Sequence, residues 1–273
     1  MTGDSEDPND ETQYHLEVGP DDVADATLLP GDPDRLGTIT DQWDASTEVA
    51  RHREYRTVTG RVDDVPISAC STGIGSPSAA IAVEELARVG VGTVIRVGSC
   101  GGIQPETDVG DLVITSGAVR QEGTSDEYVR SDYPATASHE VVTALIAAAE
   151  RLDYEYHVGV TMSADSFYAG QGRPGFGGFE AAGSETLLEE LREVNVLNVE
   201  MEASAILTLA NVYGLRAGAV CSVYADRTSG EFRTTGDDRA AETATLAVKL
   251  LAAMDDRVAA SDADRWHPGL SIE

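Results

Sequence analysis

Two carboxylates flank Met201 in the heptapeptide 198–204, NVEMEAS. Residues two apart on an extended backbone face the same way. Glu200 and Glu202 therefore present paired negative charge where an apolar run, 194–200, gives way to a helix-like one, 203–214. Such a pair costs free energy inside a protein unless cations or hydroxyl donors meet it. The alternative is two acids at a helix N-terminus, favoured by its dipole. Three glycine-bearing turns carry polar or basic groups beside strands: LPGDPDR (29–35), STGIGSPS (71–78) and IRVGSCGGI (95–103). Arg96 sits inside an apolar run, and a buried arginine is rare unless it meets an anion. Glycine lets backbone N–H groups approach a ligand, and a helix N-terminus favours negative charge. Gly31, Arg35, Arg96 and Ser99 together have the chemistry to hold a phosphate. A further stretch, GQGRPGFGG (170–178), carries five glycines and reads as a mobile loop, yet Gln171 and Arg173 are odd choices for a spacer.

The elements that must position these residues follow from pattern. Apolar, β-branched runs recur at 26–31, 65–71, 93–99, 111–119, 157–164, 194–200 and 217–225. Several are continuous, as in strands covered on both faces. Helical patterns lie between them at 77–89, 138–152, 184–194, 201–213 and 237–254, with Ser76 and Ser138 as N-caps and Pro77 in a first turn. This alternation predicts a three-layer α/β/α sandwich. Residues 1–13 read as a disordered acidic tail, 14–256 as a single domain and 257–273 as a C-terminal tail.

Of 273 residues, 48 are acidic and 19 basic, a formal net charge of −29; 18 of the basic residues are Arg and one, Lys249, is Lys. That surface repels nucleic acid and anionic membranes. No apolar run is long enough to span a bilayer, and the N-terminus lacks signal-peptide features, so a cytoplasmic protein is expected. Cys70, Cys100 and Cys221 show neither zinc spacing nor a disulfide framework. Many acids with almost no lysine resemble the composition of cytosolic proteins from salt-accumulating halophiles.

The motifs YHL (14–16), LPGDPDR (29–35), HREY (52–55), CSTGIGSPS (70–78), IAVEELA (81–87), IRVGSCGGIQP (95–105), DSFYAGQGR (165–173) and NVEMEAS (198–204) occur in this order. Together they resemble the nucleoside phosphorylase-I family, most closely its uridine phosphorylase branch, from about Tyr14 to Met254. The resemblance implies a three-layer sandwich around a mixed, distorted β-sheet, a hexamer built as a trimer of dimers, and phosphorolysis of uridine to uracil and ribose 1-phosphate. Phosphate is then a co-substrate and no cofactor is required.

By the same resemblance, Gly31, Arg35, Arg96 and Ser99 bind phosphate, and Arg53 reaches the phosphate of a neighbouring subunit. Glu202 accepts hydrogen bonds from sugar hydroxyls, Met201 packs on the sugar, Glu200 lies in the pocket, and His15 crosses a dimer interface to the 5′-hydroxyl. Cys100 and Gly101 fall among the nucleoside contacts; Phe167, Gln171 and Arg173 recognise uracil, and Arg227 lies near the base. Glu54, Ile74 and Ser78 match positions that hold a monovalent cation, here potassium, between subunits.

Two positions depart from the uridine branch. Cys100 stands where threonine is usual, and Asp226 where asparagine is usual. Purine enzymes use an Asp in this region to protonate N7. The alternatives are a purine nucleoside phosphorylase acting on inosine, guanosine or adenosine, a nucleosidase that uses water, and a nucleoside-binding protein without turnover. Thymidine and deoxyuridine are expected as secondary substrates.

The charge reading has its own test. At molar salt the Debye length is about 3 Å and self-repulsion is screened. Desalting is therefore expected to cost the protein its structure; a sharp melting transition unchanged between molar potassium chloride and dilute buffer would refute this.

Overall fold

Each expected apolar run forms a strand in the computed structural model, which describes residues 12–270. The strands are β1 (Ala26–Pro30), β4 (Val65–Cys70), β5 (Thr93–Gly102), β6 (Leu112–Gln121), β8 (Tyr156–Ala164), β9 (Val196–Glu200) and β10 (Arg216–Asp226). Two further strands, β2 (Ala45–His52) and β3 (Tyr55–Val62), form a hairpin, and β7 (Ala135–Thr136) is a short addition beside β6. The pattern missed β2 because it is an exposed edge strand with no apolar face to declare it.

The ten strands make one mixed sheet, as the fold class anticipates. Its organising strand is β5. It pairs with parallel β10 along its whole length; on its other edge its first half pairs with parallel β1 and its last two residues with antiparallel β9. β10 continues to β6, β6 to β8 and β8 to β9, so five strands close on themselves while β1, β4, β3 and β2 extend outward. The gap between the end of β1 and the end of β9 is a strand-order switch at carboxyl ends, where α/β proteins place ligands.

Helices cover both faces. α1 (Arg35–Thr40), α3 (His139–Leu152) and α6 (Asp237–Ala259) contribute to one core with Leu28, Ile95, Val97 and Val220. α2 (Ser76–Arg88) and α5 (Ala203–Tyr213) build the other with Leu29 and Val94. The alternation of Val94 against Ile95 and Val97 is the period-two signature of a strand buried on both faces. α4 (Ser184–Glu193) lies beside β9.

Local chemistry adjusts the helix starts. The N-cap of α2 is Gly75 at φ 98°, not Ser76, whose hydroxyl donates to the Met201 carbonyl at 2.8 Å. Ser138 does stand at the N-cap of α3, but its hydroxyl accepts the Ala217 N–H at 3.0 Å instead of capping the helix. Residues 1–11 of the expected acidic tail lie outside the described residues. Within the expected C-terminal tail, residues 257–259 continue α6, and Trp266 is buried in the first core. No helix among the described residues is long and apolar enough to cross a membrane.

Gly60 shows how tightly the hairpin packs. A β-carbon there would overlap the Ala45 carbonyl and meet the Trp43 ring at 2.8 Å. Gly60→Ala is expected to destabilise the protein by about 1–3 kcal/mol, the usual cost of overpacking, read as a lower midpoint in urea unfolding at fixed salt.

Candidate active site

Arg96 lies in β5 on the side of the sheet facing α2 and α5, where both helices begin. Its guanidinium is fully enclosed, with the side chain 4% exposed. Gly98 makes the room: a β-carbon there would sit 2.8 Å from Arg96 Nη2. Glu200, the last residue of β9, and Glu202, which caps α5, both turn toward it. Arg96 Nε lies 2.8 Å from Glu200 Oε2, and Nη2 lies 2.5 Å from Glu202 Oε2. Glu200 Oε2 also accepts the N–H groups of Glu202 and Ala203 at 2.7 and 2.9 Å, and Glu202 Oε1 accepts the Gly75 N–H at 2.5 Å. The pair thus serves both readings of its sequence, meeting a cation and satisfying helix N-termini.

Burial opposes charge on Arg96, but Glu202 and Glu200 outweigh it and hold its pKa above the ordinary arginine value. Burial raises the pKa of Glu202, with Arg96 pulling the other way. Two donors of Arg96, Nε and Nη1, are buried with no hydrogen bond among the described residues; Nε has the Glu200 carboxylate as its ion-pair partner, whereas Nη1 has no anion beside it. Nη1 faces the Gly31 turn, 4.0 Å from where a Gly31 β-carbon would stand.

A cavity of about 370 Å³ opens here. Gly31, Arg35, Arg96 and Ser99 line it together with Glu200, Met201 and Glu202, and Cys100 and Gly101 form part of the wall. Phe167, Gln171 and Arg173 line the cavity from the loop that follows β8. Arg35 donates to the Val97 carbonyl at 3.3 Å and the Tyr224 hydroxyl at 3.4 Å, with Asp237 3.2 Å from its Nε. Gln171 is buried and donates to the Glu200 carbonyl at 3.3 Å. Arg173 donates to the Gln171 side-chain oxygen and, at 3.0 Å, to the Phe167 carbonyl, while its guanidinium lies 4.1 Å from the Phe167 ring centre. Burial, then the neighbouring charge of Arg227, lower the Arg173 pKa to about 10, which leaves it charged at neutral pH.

Other expected residues stand back from the cavity. Arg227 packs its stem against Gly101 and donates to the Gln171 carbonyl at 3.2 Å. Asp226 turns away into its own loop, where its Oδ1 accepts from Thr228 and Ser229. Burial works against its charge, but the hydrogen bonds from Ser229 and Thr228 prevail and bring its pKa to about 2. His15 holds Glu85 through Nδ1 at 2.6 Å, and Arg53 stands exposed at the tip of the β2–β3 hairpin with φ 55°. Ile74 reaches the cavity rim, while the Ser78 hydroxyl donates to the Ile74 and Gly75 carbonyls and the Glu54 stem packs against Gly73.

Sequence reasoning overlooked Tyr224, Asp32 and Phe232, which also line the cavity. Asp32 lies within LPGDPDR and Tyr224 within the apolar run 217–225. Phe232, 67% exposed and set in a polar stretch, had no local signal, and only the fold brings it to the cavity.

Residues 25–260 match the family model described as the phosphorylase superfamily. The chain is 54% identical over 258 residues to the uridine phosphorylase of Thermococcus kodakarensis, covering 94% of this chain and 93% of that one. It is 42% identical over 226 residues to the guanosine phosphorylase of Halorubrum lacusprofundi, covering 83% and 88%, and 42% identical over 221 residues to the uridine phosphorylase of Escherichia coli, covering 80% and 87%.

Removing Arg96 would leave two buried carboxylates without their cation. Arg96→Ala is expected to cost about 3–5 kcal/mol of stability, measured by denaturant unfolding at constant salt. A variant as stable as the parent would show that the carboxylates are paired by something else.

Proposed function

Because this chain belongs to the phosphorylase superfamily, we propose that it is an enzyme of the nucleoside phosphorylase type that cleaves uridine with inorganic phosphate, reversibly, to uracil and ribose 1-phosphate. The observation that carries the reading is one cavity lined together by the guanidinium groups of Arg35 and Arg96, the buried carboxylate of Glu202 that Arg96 meets, and the hydrogen-bonded pair Gln171 and Arg173. Phosphate binds between Arg35 and Arg96, with Gly31 and Ser99 beside it; the unpartnered Nη1 of Arg96 is the donor awaiting an oxygen. Charge-assisted hydrogen bonds of this kind contribute about 1.5–3 kcal/mol each.

Glu202 accepts from the sugar hydroxyls and Met201 packs on the ribose. The glycosidic bond stretches, its electron pair passes to the base nitrogen, and a phosphate oxygen bonds to C1′. Catalysis lies in placing the anion below the sugar and stabilising negative charge on the departing base. Gln171 and Arg173 match a ring with two carbonyls and one N–H, and Arg173 with Arg227 nearby stabilises the uracil anion. Phe167 stacks on the ring, with Cys100 and Gly101 forming the opposite wall.

The second reading, a purine nucleoside phosphorylase, is favoured by the 42% identity to a guanosine phosphorylase and by Cys100. Asp226 speaks against it: a carboxylate ionised down to about pH 2 and tied to Thr228 and Ser229 is poorly prepared to donate a proton.

Arg53 and His15 serve a neighbouring subunit's site in a hexamer, a trimer of dimers; both stand off their own cavity. Glu54, the Ile74 carbonyl and the Ser78 hydroxyl supply hard oxygen donors suited to potassium once a partner doubles the set. Lone pairs of the Ser78 oxygen remain free because that hydroxyl donates locally. A high-potassium cytoplasm suits both this cation and the surface charge.

Incubation in high potassium chloride with uridine, inosine or adenosine, with and without phosphate, tests the reading. Phosphate-dependent uracil release is expected to be fastest. Phosphate-independent cleavage identifies a nucleosidase, faster inosine cleavage a purine enzyme, and no turnover a binding protein. Gln171→Ala is expected to reduce discrimination for uridine over inosine by about 1–3 kcal/mol; equal losses for both substrates would remove the loop from base recognition.

A further inference from the structure

Behind the two carboxylates runs a second line of buried polar groups that the proposed reaction does not use. Ser163, near the end of β8, is fully buried and donates its hydroxyl to Glu200 Oε1. The same hydroxyl oxygen accepts the backbone N–H of Ser204 at 2.8 Å. The Ser204 hydroxyl in turn donates to buried Glu122 Oε1 at 2.9 Å. These contacts tie β8, β9 and the first turn of α5 together directly beneath Arg96.

They also explain what Glu200 does. Its Oε2 already takes two backbone N–H groups and faces Arg96 Nε, and its Oε1 takes the Ser163 hydroxyl. Little acceptor capacity is left for a substrate hydroxyl. Glu202, by contrast, is met among the described residues only by the Gly75 N–H and Arg96 Nη2. The two acids therefore divide the work: Glu202 is available to a ligand, and Glu200 is committed to the protein.

We propose that Ser163 is a positioning residue for Arg96, acting through Glu200. The proposal rests on the reading of Arg96 as a phosphate ligand. Ser163 fixes the rotation of the Glu200 carboxylate about its terminal bond, a broad torsion with little intrinsic preference. With Oε1 held, Oε2 stays opposite Arg96 Nε and Nη1 stays directed toward the Gly31 turn. Without the hydroxyl, only the Glu202 and Ala203 N–H groups on Oε2 hold the carboxylate, so Oε1 can swing and the contact of Oε2 with Arg96 Nε loosens, while Glu202 keeps its bond from Gly75.

Ser163→Ala, compared with Ser204→Ala, tests this in the full-length protein at high potassium chloride. Ser204→Ala removes the link to Glu122 but keeps the backbone N–H that Ser163 accepts. The expected result for Ser163→Ala is a rise of roughly tenfold or more in the Kd of inorganic phosphate by calorimetry, as one support of a charge-assisted contact is lost. The KM for phosphate should rise in parallel, the KM for uridine should move little, and Ser204→Ala should change phosphate affinity much less. Ser163→Cys, which keeps the shape of the side chain at slightly larger volume but offers only a weak S–H donor, is expected to show the same split and serves if the alanine variant does not fold. Unchanged phosphate affinity, equal losses for phosphate and uridine, or equal effects in the Ser163 and Ser204 variants would each overturn the proposal. Phosphate titration is read separately from turnover. A parent protein that binds phosphate but leaves uridine intact therefore fails the proposed function and not this one.

Discussion

A single guanidinium held between two buried carboxylates is the constraint around which the centre of the molecule is arranged. Taking three charges out of water is expensive, and their mutual attraction offsets that cost only when geometry is good and the remaining lone pairs are satisfied. Here the satisfaction comes from the backbone. The first N–H groups of α5 go to Glu200, and the N–H of Gly75 at the start of α2 goes to Glu202. Two helices thus have to begin at the same place, and the three charged residues account for why they do. The net charge of the cluster is negative, yet among the described residues Arg96 Nη1 has neither a hydrogen bond nor an anion beside it.

That local arrangement stands out against the rest of the chain. With a formal net charge of −29, most of the protein repels anions. Surface arginines are commonly matched to acids, as in the two-bond pairing of Arg216 with Asp255 at 2.7 and 2.9 Å. Arg173 and Arg227 instead donate to neutral carbonyl oxygens of Phe167 and Gln171. Their charge is therefore not cancelled by a bonded carboxylate, and burial strengthens its field inside the cavity. An anion in an otherwise repulsive field is drawn to such a concave, cationic place. Arginine suits it better than lysine because its planar fork fixes direction as well as charge.

The sheet supplies the geometry. β5 changes neighbours along its length, from β1 to β9, and the parting of those two strands opens the cavity at their carboxyl ends. Glycines keep that crossing passable: Gly98 leaves space for the Arg96 guanidinium and Gly101 for the stem of Arg227. Side chains at either position would press on the two arginines from within the strand that carries one of them.

The amino-acid sequence by itself determined the strands with continuous apolar runs, the five long helices to within a few residues, and the residues of the cavity that lie in glycine-bearing turns. Those features are local, because periodicity, glycine and an arginine inside an apolar run each register over a few neighbouring positions. It did not disclose the β2–β3 hairpin, whose outer strand buries no apolar face, nor short α1. Nor did it separate the tasks of Glu200 and Glu202, two residues apart with identical side chains. Only the tertiary structure decided that, because Ser163, Gly75 and Arg96 come from three distant parts of the chain, and the hydrogen bonds each brings decide which carboxylate still has lone pairs to offer.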